Sequence, residues 1–213
     1  NNTIAAGGVG VLVTSPVSAL HMDNNSIHAG SYGVHFAGGT SSLASFRNNA
    51  IVSGNYTVYR QTTTTIPLTT NNALRRSTVG PLAFWTSAQN TLSALQAASG
   101  GFASSVAADA LYYNAPAGDL HAYAMELDGA GTVISHIPTD IDGQSRSTST
   151  PDIGADEFTP QLWPQAFSTC SVADPITSTG TGTDQWIYKD RRVLARFNDN
   201  GQNLGTVQLS VFL

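Results

Sequence analysis

Asn24-Asn25-Ser26-Ile27-His28-Ala29-Gly30-Ser31-Tyr32-Gly33-Val34-His35-Phe36 returns 24 residues later as Asn48-Asn49-Ala50-Ile51-Val52-Ser53-Gly54-Asn55-Tyr56-Thr57-Val58-Tyr59-Arg60. The opening of this string also occurs as Asn1-Asn2-Thr3-Ile4 and as Asn71-Asn72-Ala73-Leu74, so the four copies are spaced 23, 24 and 23 residues apart. A fixed period of that length marks a solenoid, in which one rung cannot bury its apolar face without its neighbours.

The columns of the repeat specify the kind of rung. Val9, Tyr32, Tyr56 and Val79 fall in one column, Val11, Val34 and Val58 two residues on, and Val13 and Phe36 two further. This period-two alternation of β-forming residues predicts a strand with one face inward, and its recurrence once per rung predicts parallel pairing. Ile4, Ile27, Ile51 and Leu74 make a second inward column, with Met22 and Phe46 a third just before the Asn pairs. Asn suits the turn because it tolerates left-handed backbone and its amide can bond the next rung. No rung carries leucine-rich spacing or an amphipathic helix. The reading is an all-β chain built on a right-handed parallel β-helix.

Beyond the fourth rung the pattern changes. Thr86 to Gly101 reads as a short capping helix, with Ser87 as N-cap, Ala88, Leu92 and Leu95 on one face, and Gly100 as the stop. Residues 102–137 read as poorly periodic, with short strands at Asp119–His121 and Thr132–Ile134. Residues 159–213 read as a second, small antiparallel β module, with strands at Gln185–Lys189, Arg192–Phe197 and Gly205–Phe212 and a turn at Asn198-Asp199-Asn200-Gly201. The division is therefore 1–158 and 159–213. Asn1 falls at the start of a rung and Leu213 inside an apolar strand, so further rungs or a partner chain are expected before the first and further strands after the second.

The closing string Thr139-Asp140-Ile141-Asp142-Gly143-Gln144-Ser145-Arg146, followed by Pro151-Asp152-Ile153-Gly154-Ala155-Asp156-Glu157-Phe158, has the form DxDGxxR and PDIGAxEF. It resembles the closing signature of secreted bacterial right-handed parallel β-helix proteins of the choice-of-anchor and polysaccharide-lyase-like group. The resemblance covers about residues 1–158 and implies the same architecture in a secreted or cell-surface protein, without implying one activity.

Composition narrows the function. Only 11% of the 213 residues are charged, a single Lys is present, and the net charge is −5, which excludes a nucleic-acid binder. Cys170 is alone, so no intrachain disulfide forms. No apolar run approaches the roughly 20 residues of a membrane span. Asp23 is the only carboxylate in residues 1–108, which also lack Lys and Glu. A glycosidase needs two carboxylates, so a conventional hydrolytic site on these rungs is excluded.

Two candidate sites remain. Leu12, His35 and Tyr59 form an outward column suited to a carbohydrate ligand. Asp140, Asp142, Asp152 and Asp156 offer oxygen ligands to a calcium ion, the D-x-D-G string being half of a calcium loop. The alternative for these carboxylates is a tight turn that bonds backbone N–H groups and pairs with Arg146. His21 and His28 lie near turns, and His121 and His136 show no metal-like spacing. The expected function is a non-catalytic structural or adhesive segment that contacts extracellular polysaccharide or other surface proteins. The alternative is the C-terminal part of a polysaccharide lyase or glycoside hydrolase with its chemistry upstream.

Overall fold

A computed structural model describes residues 1–160 together with the backbone of Gln185–Lys189 and Arg192–Phe197. The chain divides into two compact units, Asn1–Pro160 and Gln161–Leu213.

The first unit is a parallel β-solenoid of about four turns. Its first sheet stacks β1 (Asn2–Ala6), β4 (Asn25–Ala29), β7 (Ala50–Ser53) and β11 (Ala73–Arg76). The second stacks β2 (Val11–Val13), β5 (Val34–Phe36), β8 (Val58–Arg60) and β12 (Ala83–Trp85). The third contains β3 (Ser18–Asp23), β6 (Ser41–Arg47), β9 (Thr64–Thr65) and β10 (Thr69–Thr70). Register follows the repeat: Ile4 pairs with Ile27, Ile27 with Ile51, and Leu74 with Ile51. Val34 lies between Val11 and Val58, and Met22 pairs with Phe46. These columns meet in one core in which Ile27, Val34, Phe46, Ile51, Val58 and Leu74 are fully buried.

The two asparagines of each pair divide the work at the corner. The first, Asn24, Asn48 or Asn71, adopts left-handed backbone with φ 53°. The second turns its amide inward. Asn2 Nδ2 donates to Asn25 Oδ1 at 2.9 Å, Asn25 Nδ2 to Asn49 Oδ1 at 2.7 Å, and Asn49 Nδ2 to Asn72 Oδ1 at 2.9 Å. The same oxygens accept the backbone N–H of Asn25 and Asn49. Asn49 and Asn72 also donate to the carbonyls of Met22 and Phe46. At the far end Ser105 Oγ replaces the next Asn and accepts the Asn72 N–H at 3.0 Å.

The close approach of neighbouring turns also selects glycine: a Cβ on Gly33 would lie 2.3 Å from Ile51 Cγ2 and 2.5 Å from the Thr57 carbonyl oxygen.

The fourth turn departs from the expected helix. Ser87 is not an N-cap; Ser87–Gln89 forms β13, which folds back antiparallel on β12, with Ala83 opposite Gln89. The helix α1 runs from Leu92 to Ser99. Thr91 Oγ1 caps it by accepting the Ala94 N–H, and Gly100 ends it in left-handed conformation with φ 68°. Leu95 is buried in the first core, whereas Ala88 is exposed on β13. The chain then begins another turn, with Ala103 bridging Thr70 and Val106 bridging Ala73.

Residues 107–158 return along the outer face of the first sheet. Asp119–His121 and Thr132–Ile134 are not strands; this irregular segment carries a short 3-10 helix at Ala115–Ala117 and isolated bridges from Asn114 to Asp119 and from Thr139 to Ser145. It is held by a second core, in which Tyr112, Leu120, Ala122, Leu127 and Ile153 pack on Ala50, Val52 and Ala73. Tyr112 reaches through to the sheet: its hydroxyl accepts the Ile27 N–H and donates to the Ala50 carbonyl at 2.7 Å. The first asparagines of the pairs hold the other side, Asn48 exchanging bonds with Thr132, Asn71 donating to Ala130, and Asn24 to Gly154.

In the second unit, β14 (Gln185–Lys189) and β15 (Arg192–Phe197) pair antiparallel at the expected positions, with an irregularity between Ile187 and Tyr188. The expected Gly205–Phe212 strand and Cys170 lie outside the described residues.

The amide ladder generates a quantitative expectation. Asn49→Ala strands the Asn25 N–H, the Asn25 side-chain Nδ2 and the Met22 carbonyl in the interior, while the Asn72 amide oxygen keeps the N–H of residue 49, and each stranded group costs roughly 1–3 kcal/mol. Urea denaturation should show a loss of about 3 kcal/mol or more for Asn49→Ala, and under about 1 kcal/mol for Asn2→Ala at the exposed end of the ladder.

Candidate functional site

The outward column of the second sheet is continuous. Leu12 pairs with His35, His35 with Tyr59, and Tyr59 with Phe84. Tyr32 and Tyr56 join it. They precede their strands, and instead of following the Val34 and Val58 columns into the core they are half-buried beside the outward residues. Tyr32 and Tyr59 stack with ring centroids 4.8 Å apart and planes 10° from parallel, and Tyr56 stacks on Tyr59 at 5.2 Å. Phe84 closes the stack at 5.0 Å from Tyr59, and His35 meets Tyr59 edge-on at 4.8 Å. Gln61 Oε1 holds His35 Nε2 at 3.0 Å.

The ring faces therefore lie largely against one another, so the ladder offers ring edges and hydroxyls. None of the hydroxyls of Tyr32, Tyr56 and Tyr59 has a hydrogen-bond partner among the described residues, nor is any of them a buried orphan. Leu12, 52% exposed, continues the surface at one end.

A groove of about 630 Å³ lies nearby, lined by Ser42, Arg60, Thr64, Thr69, Trp85 and Gly101 among others. The Arg60 guanidinium stacks over the Trp85 ring at 4.6 Å, and its Nε donates to the Thr64 carbonyl. No carboxylate pairs with Arg60 among the described residues.

The carboxylates of the closing string serve two different tasks. Asp140 is buried and organises its turn: Oδ1 accepts the N–H groups of Asp142 and Gln144, and Oδ2 that of Glu157. Asp152 is equally buried and accepts the N–H groups of Gly129 and Phe158. Burial pushes the Asp152 carboxyl up to about 6, against the pull of those two hydrogen bonds. Arg146 runs alongside, pairing with Glu157 at 3.3 Å and donating to the Gly154 and Ala155 carbonyls and to Asn1 Oδ1.

Asp142 and Asp156 instead face His121, so the structure brings two of the four candidate calcium ligands together and turns the other two to backbone amides. His121 Nε2 lies 2.8 Å from Asp142 Oδ2, and Nδ1 lies 2.5 Å from Asp119 Oδ1. These bonds, that to Asp119 first, raise the imidazole to about 9 and hold it protonated. A second group joins His21, Asp23 and His136. There Asp23 is clamped by Arg47 Nη2 at 2.9 Å and by the Ser45 hydroxyl at 2.7 Å. His28 packs edge-on against Tyr112. The sequence spacing of His121 and His136 showed neither group, because the partners come from different passes of the chain.

Asp152 sets a pH dependence whose sign follows from its raised pKa. The folded state binds this proton more tightly than the unfolded chain, so its stabilising contribution is full below about pH 4 and is lost as pH rises through about 6. Relative to Asp152→Asn, the natural protein should lose stability between pH 4 and 7. Urea midpoints for both proteins across that range check it, and a constant difference would contradict the raised value.

Comparison of the chain with protein-family models, with curated proteins and with solved structures finds no match.

Proposed function

We propose that the chain is a non-catalytic, adhesive segment of a secreted or surface-attached bacterial β-helix protein, and that the outward ladder of its second sheet binds extracellular polysaccharide. The observation that carries this reading is the ordered stack of Tyr32, Tyr59 and Tyr56 with unpaired hydroxyls. Tyrosine supplies rigid, amphipathic contact area, and rings already locked against each other lose little further entropy when a ligand arrives. Phenol hydroxyls suit the hydroxyls of a sugar chain, and the ring edges and Leu12 suit its apolar patches. The parallel rungs repeat these groups in register, as an extended polymer requires.

Two further features support the reading. The lone carboxylate of the rungs, Asp23, is neutralised by Arg47 and has no second carboxylate within residues 1–108 to work with. Arg60, stacked on Trp85 in the adjoining groove, suits an acidic sugar unit.

The test is a glycan array followed by calorimetry on the glycan retained. Tyr59→Ala should weaken binding about tenfold or more, in line with the 2 kcal/mol scale of central contact residues, and Tyr32→Ala should weaken it to a similar degree. Unchanged affinity in both variants, with circular dichroism unaltered, would reject the ladder as the contact surface. Release of shortened or unsaturated products from the retained glycan would favour a lyase or hydrolase instead.

A further inference from the structure

We propose that His121, Asp142 and Asp156 form a binding site for a divalent transition-metal ion, with Asp119 as the carboxylate that positions His121. This inference is independent of the carbohydrate reading. The three residues come from separate parts of the returning segment, yet one ligand atom of each lies within 4.8 Å of the other two. Zinc binds imidazole nitrogen at about 2.0–2.1 Å and carboxylate oxygen at about 2.0–2.2 Å, which places tetrahedral ligand atoms roughly 3.3 Å apart. The 2.8 Å from His121 Nε2 to Asp142 Oδ2 therefore has to open by only about half an ångström. Both residues are about half exposed and free to make that adjustment.

Asp156 supplies the argument that a ligand belongs here. It is 6% exposed, and among the described residues no Arg side chain pairs with its carboxylate. His121 is the cation that faces it. Asp119 on Nδ1 is the outer partner found on metal-binding histidines, fixing the ring so that Nε2 points toward Asp142 and Asp156. On metal binding Nε2 gives up its proton to solvent and donates its lone pair to the ion, while Nδ1–H stays on Asp119. The ion then takes over the place between Asp142 and Asp156 that the imidazolium N–H fills in its absence. Three protein ligands leave a fourth position for water.

The chemistry of the set selects the class of ion. One imidazole and two carboxylates suit zinc, manganese or iron(II), whereas calcium prefers six to eight oxygens. The other histidine group is a poorer host, since the Asp23 oxygens are occupied and the Arg47 guanidinium sits against them.

The experiment is calorimetric titration of zinc chloride into the full chain without a polyhistidine tag, in a non-coordinating buffer at neutral pH, with the His121 ring followed by NMR. One saturable zinc per chain is expected, together with a shift of the His121 ring resonances. His121→Ala and Asp142→Asn should each weaken binding more than tenfold. Asp119→Asn should weaken it about 10–100-fold, the range for loss of such an outer partner. His136→Ala should leave it unchanged. The proposal is overturned if no saturable binding is found, if the His121 ring is unmoved, if binding survives His121→Ala, if His136→Ala alone abolishes it, or if calcium at equal concentration displaces zinc.

Discussion

A chain of side-chain amides, from exposed Asn2 through buried Asn25 and Asn49 to buried Asn72, sets the registry of every turn. Parallel strands slide past one another at little cost in backbone hydrogen bonding, and a slip of one residue would send each inward side chain to the outside. The ladder opposes such a slip because each carboxamide must meet one above and one below while also serving the backbone of the neighbouring turn. With that corner aligned, Ile27 over Ile51 and Val34 over Val58 follow without further specification.

The first asparagine of each pair extends this order outward. Its left-handed backbone turns the corner, and its side chain is presented to the returning segment, where Thr132, Ala130 and Gly154 receive it. The middle of the first sheet, at β4 and β7, is thereby covered on both faces, with Ile51 in one core and Val52 in the other. Among the three sheets the second keeps an outward face of half-buried aromatic residues, and that is where the proposed binding surface lies.

Much of the solenoid was legible because parallel stacking places like residues a fixed distance apart: the columns headed by Ile4 and Val11 are columns in space. The assignment of Leu12, His35 and Tyr59 to one outward line follows from the same regularity. Legibility fails where contacts stop being periodic. Tyr32 and Tyr56 lie just before their strands, where the bend turns them out of the alternation and onto Tyr59. Ser87 looks like a helix cap until Ala83 and Gln89 pair antiparallel, a tertiary contact that overrides local propensity. The returning segment follows no period because it reads the outside of the sheet through single contacts such as Tyr112. His121, in turn, meets Asp142 and Asp156 only after that segment has folded back on itself.

The amide ladder also bears on how this protein ages. Hydrolysis of a side-chain amide to a carboxylate would set a buried negative charge where a donor is required, facing the carbonyl oxygen of the next asparagine. Because Asn25, Asn49 and Asn72 are sealed from water, and the Ala73 N–H that would attack the Asn72 amide is held by the Asn49 carbonyl, the rigid fold slows the cyclisation that begins such deamidation.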